Sequence, residues 1–167
     1  MVFPLGPRDV KYFVPPLAAS GVAGMASELS PFPPRTAAVR ALEGGVVSLF
    51  QTITHPLATE AAVAVYLLAY PLLLLFTYVG LKREGRDRHV DYAFTYTLVV
   101  VASTPVFFFV PVGVTGYALP GVEPLLYDGD GFVQSFMLSV DTLQKALPSL
   151  HAGLAGTASL YAPAGYE

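Results

Sequence analysis

The fold class expected for this chain is all-α, an integral membrane helical bundle, and three observations lead there. Of its 167 residues 54% are hydrophobic and 13% charged, with a mean hydropathy of +0.57, more apolar than a water-soluble domain of this length usually is. Ala61 to Leu81 is a run of 21 residues without a charge, which at 1.5 Å per helical residue spans roughly 30 Å, the thickness of a hydrocarbon core. A second uncharged run, Tyr92 to Val122, is long enough to cross and leave again.

Two regions are expected, a membrane-associated segment over 1–35 and a domain over 36–167. In the first, Val14-Pro15-Pro16 and Pro31-Phe32-Pro33-Pro34 bracket an Ala/Gly/Ser-rich stretch, Leu17 to Leu29. It is apolar but short and Gly-rich for a span, and the early proline pair does not fit a secretory signal. From Thr36 to Thr54, Val39, Leu42, Val46, Leu49, Phe50 and Ile53 recur at helical spacing, an amphipathic helix suited to a membrane surface.

The first span covers about 61–81, with Pro71 as a kink. Lys82, Arg83, Arg86 and Arg88 follow against Glu84 and Asp87, so by the positive-inside rule that turn is cytoplasmic. The second span covers about 92–112, with Tyr92, Tyr96 and Tyr117 suited to interfaces and Gly113 to Gly121 as an exit loop. Glu123, Asp128 and Asp130 then lie outside the cell, and Phe132 to Val140 reads as a short interfacial or re-entrant helix ending near Asp141.

Pro148-Ser149-Leu150-His151 then opens a small-residue helix from 148. Proline costs nothing in a first turn, and the free N–H groups of Ser149, Leu150 and His151 form a phosphate-binding helix end. Ser149 and His151 are two residues apart, about 200° around a helix, so they converge only where the helix begins. His151 is the candidate catalytic residue, and Ser149 and Leu150 the candidate phosphate binders. This site faces outward.

Other features have plainer readings. His55 beside Pro56 is an interfacial side chain reaching water, and His89 is solvated beside Arg86 and Arg88. Lys145 is a headgroup contact or a solvated end, while Gly153 and Gly156 make a close helix-packing surface. Asp128-Gly129-Asp130-Gly131 is a turn rather than a calcium loop. No metal or cofactor is implied, since the three histidines lie apart without zinc-type spacing. Zero cysteines exclude disulfides and thiolate sites. A net charge of −3 without a basic surface excludes a nucleic-acid partner. The partners expected are a membrane lipid substrate and either other membrane helices or a second copy.

Pro148-Ser149-Leu150-His151-Ala152-Gly153 resembles the second signature motif of the type 2 phosphatidic acid phosphatase superfamily, in its inositol phosphorylceramide synthase-like branch. That superfamily holds membrane lipid phosphatases, phosphotransferases of sphingolipid-synthase type and vanadium haloperoxidases. The layout from Ala61 onward, span, basic turn, span, outer loop and motif, is similar to the family's. The resemblance implies that Ser149 and the Leu150 amide hold phosphate and that His151 protonates the leaving oxygen. It implies action on lipid phosphates or diphosphates, with transfer to a lipid alcohol as the enzymatic alternative and a non-catalytic membrane protein as the alternative of another class.

The other two family motifs are not met. Seven residues after Lys82 stands His89-Val90 rather than Arg-Pro; no arginine follows Arg88 and no histidine follows His151. Phosphoryl transfer needs a nucleophile, an acid and cations about the phosphorus. The expectation is therefore an incomplete phosphatase/haloperoxidase-type core, truncated before the third motif and catalytically silent.

Overall fold

In the computed structural model, residues 5–43, 49, 55–84, 87–114, 131–140 and 142–162 are described. Among them the chain is all-helical. A 3-10 turn, Pro7–Asp9, leads into α1 (Val10–Glu28); α2 is Thr36–Glu43 and α3 Pro56–Ala64. A π-helical stretch, Val65–Ala69, joins α3 directly to α4 (Tyr70–Arg83), followed by α5 (Arg88–Phe109), α6 (Phe132–Val140) and α7 (Leu150–Tyr161). Two continuous helices, Glu60–Arg83 and Arg88–Phe109, are long and apolar enough to cross a membrane.

At Pro71, where a kink is expected, the helix carries a π stretch just before the proline. Tyr70 N–H reaches back to Val65 O, a widened turn that lets a proline without a donor follow while the helix continues. The second long helix starts four residues earlier than expected and ends at Phe109, because Val110 leaves helical geometry. The helix at Phe132–Val140 lies as expected, and of the amphipathic stretch 36–54 the described helical part is α2 with Leu49. The exit loop beyond Val114, Asp141 and the Asp128-Gly129-Asp130 turn fall outside the described residues.

The largest departure is at the amino terminus. Leu17 to Glu28 belongs to the 19-residue helix α1, with Leu29 as its C-cap, and α1 runs alongside α5 in the same direction. Asp9 meets Tyr78 and Lys82 at one end, and Ser30 Oγ donates to Phe108 O at 2.6 Å at the other. The Gly and Ala content that argued against a span explains the contact: Pro16, Ala23 and Ser27 are buried on one stripe, and small side chains let two backbones approach closely. Pro15 and Pro16 sit inside α1, removing two ladder donors without ending the helix.

α4 and α7 run opposite to α1 and α5. The carboxyl end of α7 lies beside the start of α5, where Arg88 Nη2 donates to Tyr161 O at 3.3 Å and Thr95 Oγ1 meets Tyr161 Oη at 2.9 Å. One core cluster, around Tyr78, Leu81, Tyr92 and Ala158, lies at this arginine-bearing end; a second gathers Ala23, Val100, Phe107 and Leu154 further along. Tyr92 is buried and Tyr96 half-buried. Outside the core, large apolar side chains face outward on α1, α4 and α5, among them Leu17, Phe76 and Phe94.

At the far end two non-helical strips, about Val112 and Lys145, pair with each other and return the chain for α7. Val112 bridges to Lys145, Ala146 N–H donates to Val112 O at 2.9 Å, and Gly113 N–H donates to Thr36 Oγ1 at 2.8 Å. Ser27 Oγ and Thr142 Oγ1, 2.7 Å apart, fasten α1 to the same strip.

Candidate functional site

The strip 142–149 delivers the chain into α7 through a cis Leu147–Pro148 bond. Ser149, extended at φ −69° and ψ 108°, is the N-cap, and its Oγ accepts the Ala152 N–H at 3.3 Å. Pro148 therefore stands before the helix rather than in its first turn, a correction to the expected start. Serine outcompetes it because the side-chain oxygen satisfies a first-turn donor.

Leu150 is the first helical residue and packs its side chain against the Val100 cluster, leaving its amide among the first-turn donors that the helical ladder does not use. His151, next along, points at α4. Its Nδ1 lies 3.1 Å from Tyr66 Oη, and its ring sits 4.3 Å from the Tyr66 ring and 4.7 Å from that of Tyr70. Ser149 and His151, expected to converge, are thus committed to different partners. The tautomer decides the chemistry. If Nδ1–H donates to Tyr66, Nε2 is the acceptor in the neutral ring and gains the proton in the imidazolium.

Tyr66 and Tyr70 were absent from the expected site. Their signal was available: two phenols four apart inside a Leu/Val run, where a polar group needs a partner. Gly153 faces α5, where an added Cβ would lie 3.5 Å from Val99 Cγ1, whereas Gly156 faces open space, so half of the expected small-residue pair packs. Val99 lies eleven residues past Arg88, which sets Gly153 about 16 Å from the arginine-bearing end and His151 about 20 Å from it.

A cation also stands at this end. Arg40 of α2 lines, with Glu43, Val112, Ala146 and Leu147, a cavity of about 90 Å³ immediately ahead of Pro148-Ser149. Lys145 belongs to the paired strip beside it. The other histidines are elsewhere, and His89 does not match its expected role. His55 caps α3, its Nδ1 accepting the Leu57 N–H at 3.2 Å; eleven residues ahead of Tyr66, it lies about 16 Å further along that helix. His89 is at the opposite end, half-buried between Tyr12 and Tyr78 rather than solvated, with Nδ1 buried and unpartnered.

That opposite end holds a buried ionic cluster. Asp9, 4% exposed, accepts Gly6 N–H at 2.7 Å and Tyr78 O–H at 3.0 Å, and both its oxygens face Lys82 Nζ. The Lys82 ammonium, helped by the Gly6 amide, holds the Asp9 carboxyl at about 2, against an opposing effect of burial. Arg88 pairs with Glu84 at 3.0 Å.

No protein-family model, curated protein or solved structure matches the chain. The class defined by fold and site is an all-helical protein with two membrane-length apolar helices and a serine-capped helix start whose histidine is held by two tyrosines.

Proposed function

We propose that the chain is a multi-pass integral protein of the cell membrane, related to the lipid phosphatase and phosphotransferase superfamily that its Pro-Ser-Leu-His motif resembles. In this reading it holds a lipid phosphate or diphosphate at the start of α7 and does not turn it over by itself. The membrane part is supported by apolar side chains turned outward on α1, α4 and α5, a surface that water disfavours. Arg8, Lys11, Lys82, Arg83 and Arg88 cluster at one end, against Arg35, Arg40 and Lys145 at the other; the positive-inside rule makes the first end cytoplasmic and turns the α7 start outward.

The observation that carries the site is the α7 first turn. An exposed Ser149 hydroxyl and first-turn amides stand at the helix start with the positive helix end behind them, and an imidazole held by Tyr66 follows two residues on. Arg40 supplies a cation, with Glu43, on the cavity that Ala146 and Leu147 line just ahead of this turn. In phosphoryl transfer Ser149 and the Leu150 amide would bind non-bridging oxygens, and His151 Nε2–H would protonate the leaving oxygen. A nucleophile is missing, since His55 and His89 are both distant, so binding without turnover follows.

The test uses purified chain in detergent. Dioctanoyl phosphatidic acid is expected to raise the thermal midpoint more than dioctanoylglycerol, and Ser149→Gly and Arg40→Gln each to reduce the difference. Equal shifts for the two lipids would remove the phosphate site. Phosphate release dependent on His151, read against His151→Ala, would refute the silent chain. One observation favours a second reading, a non-catalytic membrane protein. Ser149 Oγ and His151 Nδ1 already have partners inside the fold, and equal lipid shifts would select it.

A further inference from the structure

A further cavity is found away from the α7 start. It lies in the arginine-bearing half, between α1 and α4 with α5 behind, measures about 290 Å³, and is lined by Tyr12, Phe13 and Leu17, by Leu74 and Leu75, and by Ala93, among others. Both flanking helices carry a proline in its wall, Pro16 of α1 and Pro71 of α4. Proline removes a ladder bond and bends a helix, which suits two helices that share α5 as a neighbour yet leave a gap between them.

The wall is almost wholly apolar, so water is a poor occupant, and the volume is roughly twice that of a 150 Å³ cavity that takes benzene. Leu17 on its rim is exposed, so the gap opens sideways, toward lipid in the membrane reading. At the same end Lys11 Nζ stands 4.8 Å from the ring centroid of Tyr12, a wall residue, and Lys11 and Arg83 are both exposed. The nearby Asp9 is engaged by Lys82.

We infer that the α1/α4 cavity seats an acyl chain of an anionic phospholipid from the arginine-bearing leaflet, with Lys11 beside its headgroup. An apolar cavity of about 290 Å³ and an exposed cation beside a residue of its wall match that one molecule. The inference rests on the membrane reading above, but the site is separate from the α7 start and opens to the other leaflet.

The chain has no tryptophan, so Leu17→Trp places a single reporter on the cavity rim. The full chain is reconstituted in phosphatidylcholine vesicles, and fluorescence is followed as either brominated phosphatidylglycerol or brominated phosphatidylcholine is added. Half-quenching is expected at an about fivefold lower mole fraction of the anionic lipid, the effect of one basic residue at a membrane surface. Lys11→Gln should abolish that preference without touching the core. Ala93→Phe, which fills the back wall, should weaken quenching by both lipids at low mole fraction. Equal quenching by the two lipids would overturn the proposal. So would absence of quenching with the tryptophan shielded from aqueous iodide, since another segment or a second copy would then cover the gap. Absence of quenching with free access for iodide would overturn the membrane reading itself.

Discussion

Replacing Asp9 by Asn tests how far the ionic cluster at the base of the bundle holds α1 to α4. The carboxylate accepts from Gly6, Tyr78 and Lys82, 2.6 Å from Lys82 Nζ through Oδ1. Asn keeps the shape but turns one acceptor into a donor facing an ammonium. A charge-assisted hydrogen bond contributes about 1.5–3 kcal/mol. The Lys82 side chain retains 27% exposure and can partly resolvate, so the loss falls below the roughly 3–5 kcal/mol of a fully buried pair. The titration leads to a similar figure. A carboxyl held at about 2 instead of 3.8 corresponds to about 2 kcal/mol before solvent screening.

Asp9→Asn should therefore lower stability by about 2 kcal/mol, or a thermal midpoint in detergent by about 4–8 °C. Lys82→Met in the same chain should restore part of this, because no buried charge is then left without its partner. A loss below about 0.5 kcal/mol, the range of ordinary surface changes, would refute the reasoning. The sign with pH follows. A folded-state value below the unfolded one favours the ionised form, so the contribution is complete above about pH 4 and disappears as pH falls from about 4 to about 2. In Asp9→Asn that acid-dependent step should shrink.

Tyr66→Phe removes the hydroxyl from His151 Nδ1 and should cost about 1 kcal/mol, with a displaced imidazole resonance in nuclear magnetic resonance spectra; an unmoved resonance would mean that the 3.1 Å contact does not hold the ring. Gly153→Ala should be neutral or stabilising by up to about 1 kcal/mol, since its Cβ meets Val99 at ordinary contact distance and alanine favours helix. Gly153→Leu should cost about 1–3 kcal/mol by pushing α7 from α5, read as a lower denaturation midpoint, and full tolerance would mean that the two helices are not packed there.

The long apolar helices were legible because their signal is additive along one segment: 21 uncharged residues before Lys82 need no partner to be recognised. The Leu17 to Leu29 stretch shows the converse. Its alanines, glycines and serines are weak helix signals in isolation, and their value lies in contact with α5, a neighbour far away in sequence. His89 looked solvated beside two arginines, yet one helical turn of α5 rotates it between Tyr12 and Tyr78. Lys82, a cytoplasmic marker by sequence, is also long enough for its ammonium to turn back to Asp9. The motif Pro148-Ser149-Leu150-His151 was visible as a helix start, although a choice between proline and serine as its cap depends on backbone angles that local spacing does not specify.

The amino-acid sequence by itself determined the helical class, the two membrane-length segments, the basic turn between them and the chemical groups present at the α7 start, because composition and periodicity act locally. Only the tertiary structure decided which groups meet: His151 with Tyr66 and Tyr70, Arg40 beside Leu147, Asp9 with Lys82, and the gap between α1 and α4. Each joins residues from different helices, and their encounter depends on how helix faces rotate and pack, which no single segment encodes.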